Sequence, residues 1–390
     1  MVGHLGAYAI SAVGLTGQPR FILLAVFIAL NVGSTALVAR FRGQGDKKSA
    51  ELVTVQAILL TLAIATILTV PGIAFAREMV VFMGAGADTV EAATAYFRIM
   101  MIGFIPTALP ITISALLRGV GDTKIAMRYN VTVIGNCAAC AMALYAIAGK
   151  RYHRNGNHAS DFIELKVTRR NCEPNLAMLS RILRVGLPSA AEQFALRAGL
   201  LIYTVTITSL GTKVFAAHQI VLAILSLSFV NGQAFGIAAT SLTGQALGRD
   251  DPEGARRASA SCQKIGSLIS TAMGILMFVF RKELVALFTS ESEIIALGAL
   301  IMILTAIIQP FQSSFQIYAG ALRGAGDSLY PAISMTVGIL GVRPLLSYVL
   351  IRQCGWGLFG AWLALALDQI VRFILIMRRF RSWRWEHKIV

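Results

Sequence analysis

At 390 residues the chain is 56% apolar but only 14% charged, with a mean hydropathy of +0.70, against roughly 25% charged residues in a soluble globular domain. Its apolar residues gather in runs near or above the ~20 that an α-helix needs to cross hydrocarbon, not in short alternating strands. A soluble enzyme and a β-barrel are therefore excluded, and an all-α polytopic membrane protein remains.

In chain order, the opening MVGHLGAYAISAVGLTGQPR lacks the basic leader and unbroken apolar run of a signal peptide, and reads as too short and glycine-broken to span. Runs bounded by charge then predict ten spans, at about 22–41, 53–75, 92–117, 131–149, 186–209, 218–245, 265–280, 295–320, 331–351 and 358–377. The 35 Lys and Arg outnumber the 19 Asp and Glu by 16, and they sort unevenly around these spans. Segments 40–48, 118–128, 150–184 and 249–264, with Arg323 and the tail from Arg378, hold 25 of them; the intervening loops hold Arg20, Arg77, Lys213, Arg281, Lys282 and Arg352. By the positive-inside rule the first set faces the cytoplasm, so the excess charge is a topology signal. A nucleic-acid surface would need a folded basic domain, and the longest hydrophilic stretch runs to about 36 residues. One place breaks the rule: the basic segments 118–128 and 150–184 flank the single span 131–149, as if one helix were missing there.

The sequence ALLRGVGDT at 115–123 recurs as GALRGAGDS at 320–328, an offset of 205. The same offset pairs Leu5-Gly6 with Leu210-Gly211, Leu37 with Leu242, Gly43 with Gly248 and Asp46 with Asp251. A constant shift across separate segments marks a transporter built from duplicated halves, and six spans in the second half make the repeat parallel, about an axis along the membrane normal. Run backward, the offset gives the helix 186–209 a mate ending near residue 4, and after Asp122 one span stands where two follow Asp327. The first half is thus expected to be two helices short, with lobes at 1–150 and 185–390 joined by a basic cytoplasmic linker, 151–184.

Together with AFGIAATSLTGQALGRDDPEGARRA at 234–258 and GLPSAAEQ at 186–193, these repeated turns resemble the multidrug and toxic compound extrusion (MATE) family over nearly the whole chain. The resemblance implies a transporter of two six-helix lobes, alternately open to each side, that exports organic cations or other drugs in exchange for protons or sodium ions. The family commonly carries an acid for ion coupling on its first helix. MVGHLGA resembles the segment just after that acid, which has no counterpart here.

Charges inside a bilayer are costly unless paired or hydrated, so each is a candidate site. The spans hold Arg98, Glu192, Arg197, Arg343, Asp368 and Arg372, with His218 at a helix start. Asp368 lies near mid-span, and Arg372, four residues on, shares its face; the pair reads either as a static ion pair or as a proton or cation acceptor tuned by its arginine. Glu192, about 9 Å into its helix behind Pro188, is the first choice for an exchangeable carboxylate. Arg197, five residues further, is turned roughly 140° away. Arg343, before Pro344, is expected to complement Asp368 or Glu192. Gln309 and Gln312 beside Pro310, with Gln316, Gln219, Asn231 and Gln233, read as interhelical hydrogen-bond glue or as the lining of a cavity. Pro106, Pro110, Pro310 and Pro344 are candidate hinges. The Arg-Gly-x-Gly-Asp turns are read as helix ends, glycine left-handed and aspartate capping the next helix. Five cysteines at irregular spacing give no disulfide framework, and Cys137-x-x-Cys140 sits within a span without the second pair a metal site needs. GQGDKKS at 43–49 lacks the phosphate-loop spacing, so an ion gradient is the natural energy source and no cofactor is expected.

The sequence therefore reads as an inner-membrane secondary antiporter, not an enzyme, acting as a monomer on small drug-like or cationic molecules. Its rivals are a flippase of lipid-linked substrates with related architecture and a non-transporting remnant.

Overall fold

The structure, a computed structural model, describes residues 7–82, 89–135, 173 and 175–386. Its contacts divide into two units, residues 1–38 with 46–190 and residues 39–45 with 191–390.

α1 (Ala7–Gln44), which belongs to the first unit up to Val38, is a single helix of 38 residues, about 57 Å at 1.5 Å per residue. The sequence predicts a break before residue 22. The helix instead runs through Gly14 and Gly17, since an isolated glycine costs it only ~1 kcal/mol and the apolar run that follows carries the cost. α2 (Lys47–Ala74) starts at Asp46, whose carboxylate accepts a hydrogen bond from the Ser49 amide at 3.1 Å. Those bonds from Ser49 hold the Asp46 carboxyl below the usual carboxylate range. α3 (Ala76–Phe82) follows. The predicted span 92–117 is broken: α4 (Val90–Ile102) and α5 (Phe104–Val120) meet at Gly103 with a bend of 44°. Pro106 explains the break, because its missing N–H and its ring deny a regular turn to the carbonyl four residues back. Phe27, Phe97, Met101 and Phe104 fill the bend from inside, with Phe27 edge-on to Phe104 at 5.4 Å. α6 (Thr123–Gly135) carries the chain to the edge of the described residues. Most of the predicted span 131–149, Cys137, Cys140 and most of the linker 151–184 lie outside them.

The second unit begins on α7 (Leu176–Thr208), whose helix starts ten residues before the predicted span. α8 (Thr212–Gly248), α9 (Pro252–Val279), the short α10 (Arg281–Ala286) and α11 (Ser292–Gly324) follow. Next comes an interrupted helix: α12 (Leu329–Thr336), a π-type stretch Val337–Val342, α13 (Arg343–Tyr348) and a second π-type stretch Val349–Gln353. α14 (Gly357–Arg381) closes the unit. α8 and α11 approach backbone to backbone: a Cβ on Gly320 would strike the Gly236 carbonyl, and one on Gly324 the Thr240 carbonyl. Thr240 adds a hydrogen bond to the Gly320 carbonyl at 2.9 Å. This is the small-residue packing expected where lipid supplies no hydrophobic drive between helices.

Nine of the ten predicted spans correspond to described helices. Among the described residues seven helices are long and apolar enough to cross a membrane, eight with the bent pair counted; α7 falls short because Glu192, Gln193 and Arg197 lower its hydropathy. The chain is a multi-pass membrane protein. The duplication is visible in its local geometry. Gly121 and Gly326 both adopt left-handed φ, +96° and +84°, and in each turn the aspartate amide reaches back to a leucine carbonyl, Asp122 to Leu117 at 3.0 Å and Asp327 to Leu322 at 2.8 Å. Asp251 caps α9 through the Gly254 amide at 2.7 Å as Asp46 caps α2. Within the second unit a Cβ on Gly43 would strike the Gln245 carbonyl and one on Gly248 the Arg40 carbonyl. Both pairs obey the offset of 205.

Candidate functional site

Asp368 is fully buried on α14. Its Oδ2 accepts hydrogen bonds from Arg343 Nη2 at 2.6 Å, Arg343 Nε at 3.0 Å and Arg372 Nη2 at 3.0 Å. Arg372 Nε lies 2.9 Å from Oδ1, in ion-pair range but outside hydrogen-bond alignment. The spacing of Asp368 and Arg372 placed them on one face, and the structure pairs them; of the two partners open to Arg343, Asp368 is the one it meets. Arg343 reaches the carboxylate from an irregular stretch. Pro344 cannot donate to the Leu340 carbonyl, and the turns just before it widen to π-type spacing over Val337–Val342. Gly338 keeps that stretch clear, since a Cβ there would strike Asp368 Oδ1 and the Arg372 stem. Arg372 is held further by Met335 Sδ at 2.9 Å and by the Phe315 ring at 5.2 Å. One carboxylate between two buried guanidiniums leaves a net charge of +1.

Glu192 sits on α7 at 2% exposure. Its Oε1 accepts from Arg323 Nη2 at 2.5 Å, while Oε2 is buried with no hydrogen-bond partner among the described residues. Its charge also acts on Arg372, so the two carboxylates and three arginines form one electrostatic cluster. Arg323 belongs to the repeated turn, which the sequence reads as structural only. The two copies differ here. In the first, Asp122 caps α6 through the Ile125 amide at 3.0 Å. In the second, Arg323 holds Glu192 and Asp327 receives Arg379 Nε at 2.7 Å. In the second copy the aspartate also enters an ion pair, because α14 supplies an arginine there. The repeat itself was the signal that could have flagged Arg323, as an arginine kept at matching positions.

Arg197 is half-buried on α7, and Gln309 lies elsewhere in the unit's interior. Ser228 donates to Gln309 Oε1, and Gln309 Nε2 lies 3.5 Å from Met277 Sδ, tying α8, α9 and α11 together. Asn231 donates to Ser270 Oγ at 2.8 Å across α8 and α9. Gln312 is buried with its Oε1 unpartnered among the described residues. No cluster of three or more His, Cys, Asp or Glu suited to a metal occurs among the described residues.

Multi-pass helices in a parallel repeat, with titratable groups paired inside one lobe, define a membrane transporter. A family model described as MatE matches residues 1–140 and 188–349, and the chain belongs to that family, whose members are transporters and not enzymes. The chain is 27% identical over 410 residues to a probable multidrug resistance protein NorM of Thermotoga maritima, covering 100% of this chain and 88% of the relative. It is 26% identical over 420 residues to the uncharacterized transporter YisQ of Bacillus subtilis, covering 100% and 90%. Among solved structures, an outward-facing multidrug resistance MATE family transporter superposes with a TM-score of 0.87 at 22% identity, over 98% of this chain and 90% of its own. A Pyrococcus furiosus transporter of the MOP superfamily, described as having a binding pocket of reverse polarity, gives 0.83 at 23% identity over 100% and 91%. These two establish the fold.

Proposed function

We propose that the chain is a secondary active exporter of small drug-like, often cationic molecules, working as a monomer in the plasma membrane by alternating access and driven by inward movement of an ion. The observation that carries the reading is the asymmetry of the two buried carboxylates. Asp368 is clamped by two guanidiniums, with three hydrogen bonds on Oδ2 and Arg372 Nε 2.9 Å from Oδ1, and an incoming cation would have to displace charge-assisted bonds to reach it. Glu192 has one oxygen paired and one open. Protonation of Oε2 would weaken its hold on Arg323 at the cost of a single ion pair, so Glu192 is the coupling carboxylate and Asp368 the fixed counter-charge. A proton needs only that one oxygen, whereas a sodium ion needs a shell of several; the proton is the better fit. No cofactor takes part. The multidrug resistance named for the NorM relative supports the substrate class.

The test uses proteoliposomes of the full chain with ethidium as probe. Under an imposed pH gradient the wild type is expected to move ethidium, and Glu192→Gln, which keeps the shape but not the ionisation, to lose that dependence while reconstituting in equal amount. Wild-type rates in Glu192→Gln would remove the residue from the mechanism. Ethidium left unmoved by the wild type would favour the remnant or a substrate of another class.

A further inference from the structure

The end of α14 and the chain beyond it form a corner of the second unit that has no part in this scheme. The last turn of α14 carries Arg378, Arg379 and Arg381, and Arg384 follows in the tail. Two inner arginines are neutralised. Arg379 donates to Asp327, and Arg256 of α9 donates to both oxygens of Glu386, at 2.5 and 2.8 Å. These pairs fold the tail back on the unit. Trp385 is fully buried, stacked on Phe380 at 5.1 Å and donating its indole N–H to the Phe380 carbonyl at 2.8 Å. Trp383, at a left-handed φ of +56°, lies 4.0 Å from the Arg256 guanidinium and keeps part of its ring exposed. Arg378, Arg381 and Arg384 are left over, all exposed and without an ion pair among the described residues.

We propose that this corner binds the headgroup of an anionic phospholipid. Arg378 and Arg381 continue the exposed face of α14 that carries Leu367 and Ile374, at successive spacings of 7, 4 and 3 residues, so guanidiniums stand where an apolar stripe ends. α9 repeats the order, with exposed Arg257 and Lys264 leading into exposed Leu268 and Ile275 on one face. Acyl chains suit the stripes, and phosphate oxygens suit the planar forks of arginine, which hold them two at a time. A zwitterionic headgroup would bring its own ammonium against three arginines, so the site selects net negative charge. A soluble acidic peptide would meet the basic part alone and leave the stripes bare. The basic segments 249–264 and 378 onward place the corner at the cytoplasmic leaflet, and the half-exposed Trp383 suits the interfacial aromatic belt. Sidedness alone needs basic charge but no folded turn. Here two ion pairs and a buried tryptophan hold the tail in one shape, which fixes where the outer arginines stand. The inference goes beyond the exporter reading and does not depend on ion coupling.

The test is native mass spectrometry of the detergent-solubilised full chain titrated with phosphatidylglycerol or phosphatidylcholine. The wild type is expected to retain phosphatidylglycerol in preference. Arg381→Gln combined with Arg384→Gln is expected to weaken that binding by about fivefold per arginine removed, with phosphatidylcholine held as before. Lys282→Gln combined with Arg352→Gln removes the same charge from exposed positions assigned to the opposite membrane face, and both affinities are expected to stay unchanged. Equal retention of the two lipids by the wild type, or equal weakening by the two double variants, overturns the proposal. Should the arginine variant not fold, the melting temperature of the wild type replaces it: phosphatidylglycerol is expected to raise it more than phosphatidylcholine does, and an equal rise overturns the proposal.

Discussion

Asp368→Asn keeps the side chain's outline and removes its charge. In the wild type this carboxylate accepts three charge-assisted hydrogen bonds from Arg343 and Arg372, themselves 6% and 4% exposed. An amide would turn one –NH2 toward a guanidinium and leave two buried cations without their counter-charge. Removing one partner of a buried pair costs about 3–5 kcal/mol, most of it the penalty of the charge left behind. At about 2–4 °C per kcal/mol for a unit of some 200 residues, the expected fall in melting temperature is on the order of 10 °C, read by thermal unfolding of the detergent-solubilised chain. Adding Arg372→Gln removes one stranded cation and is expected to restore part of the loss, a non-additivity that a double-mutant cycle measures. An Asp368→Asn chain that melts like the wild type but has lost pH-driven transport would refute the reasoning, because the charge would then be exchanged during turnover instead of fixed in the fold.

Gly320→Val is expected to abolish folded protein in detergent, since even its Cβ would strike the Gly236 carbonyl and overpacking costs about 1–3 kcal/mol before the backbone parts; size-exclusion chromatography after solubilisation reads the outcome. Asp251→Ala removes the bond to the Gly254 amide at the start of α9 and is expected to cost about 1 kcal/mol, whereas Asp251→Asn should recover most of it in the same melting assay. Asp46 has its folded pKa depressed by Ser49, so its cap contributes above the unfolded carboxylate value and is lost as pH falls through the lower folded one. Asp46→Asn should therefore remove a small acid-side loss of stability.

The spans were legible in the sequence because hydrocarbon demands long apolar runs, and Asp368 with Arg372 because helical spacing fixes which residues share a face. The duplication was legible from its offset, and the left-handed glycines of both turns follow from it. What stayed hidden depends on contacts remote in sequence. Arg323 lies 131 residues from Glu192, and a turn motif gives no hint of the carboxylate it will meet. Arg343 had two open acids, and only the widened turns before Pro344 aim it at Asp368. His218 looked like a residue at a helix start; the structure buries it against rings contributed by α7 and α14. The break at Gly103 was masked because the residues on both sides are apolar enough to read as one run, and the helical opening from Ala7 because glycines suggested interruption where the helix continues.

The contact of α8 with α11 has a mechanical consequence. Main chain pressed on main chain, with Thr240 bonded across, leaves no side-chain cushion to shear, so these two helices must travel as one stiff strut. The segment 329–353, with two π-type stretches and the prolines 331 and 344, is built the opposite way, able to shed or gain a turn's worth of spacing. Any movement inside this lobe is therefore concentrated in the pliant helix that carries Arg343, which is where the buried charges would feel it.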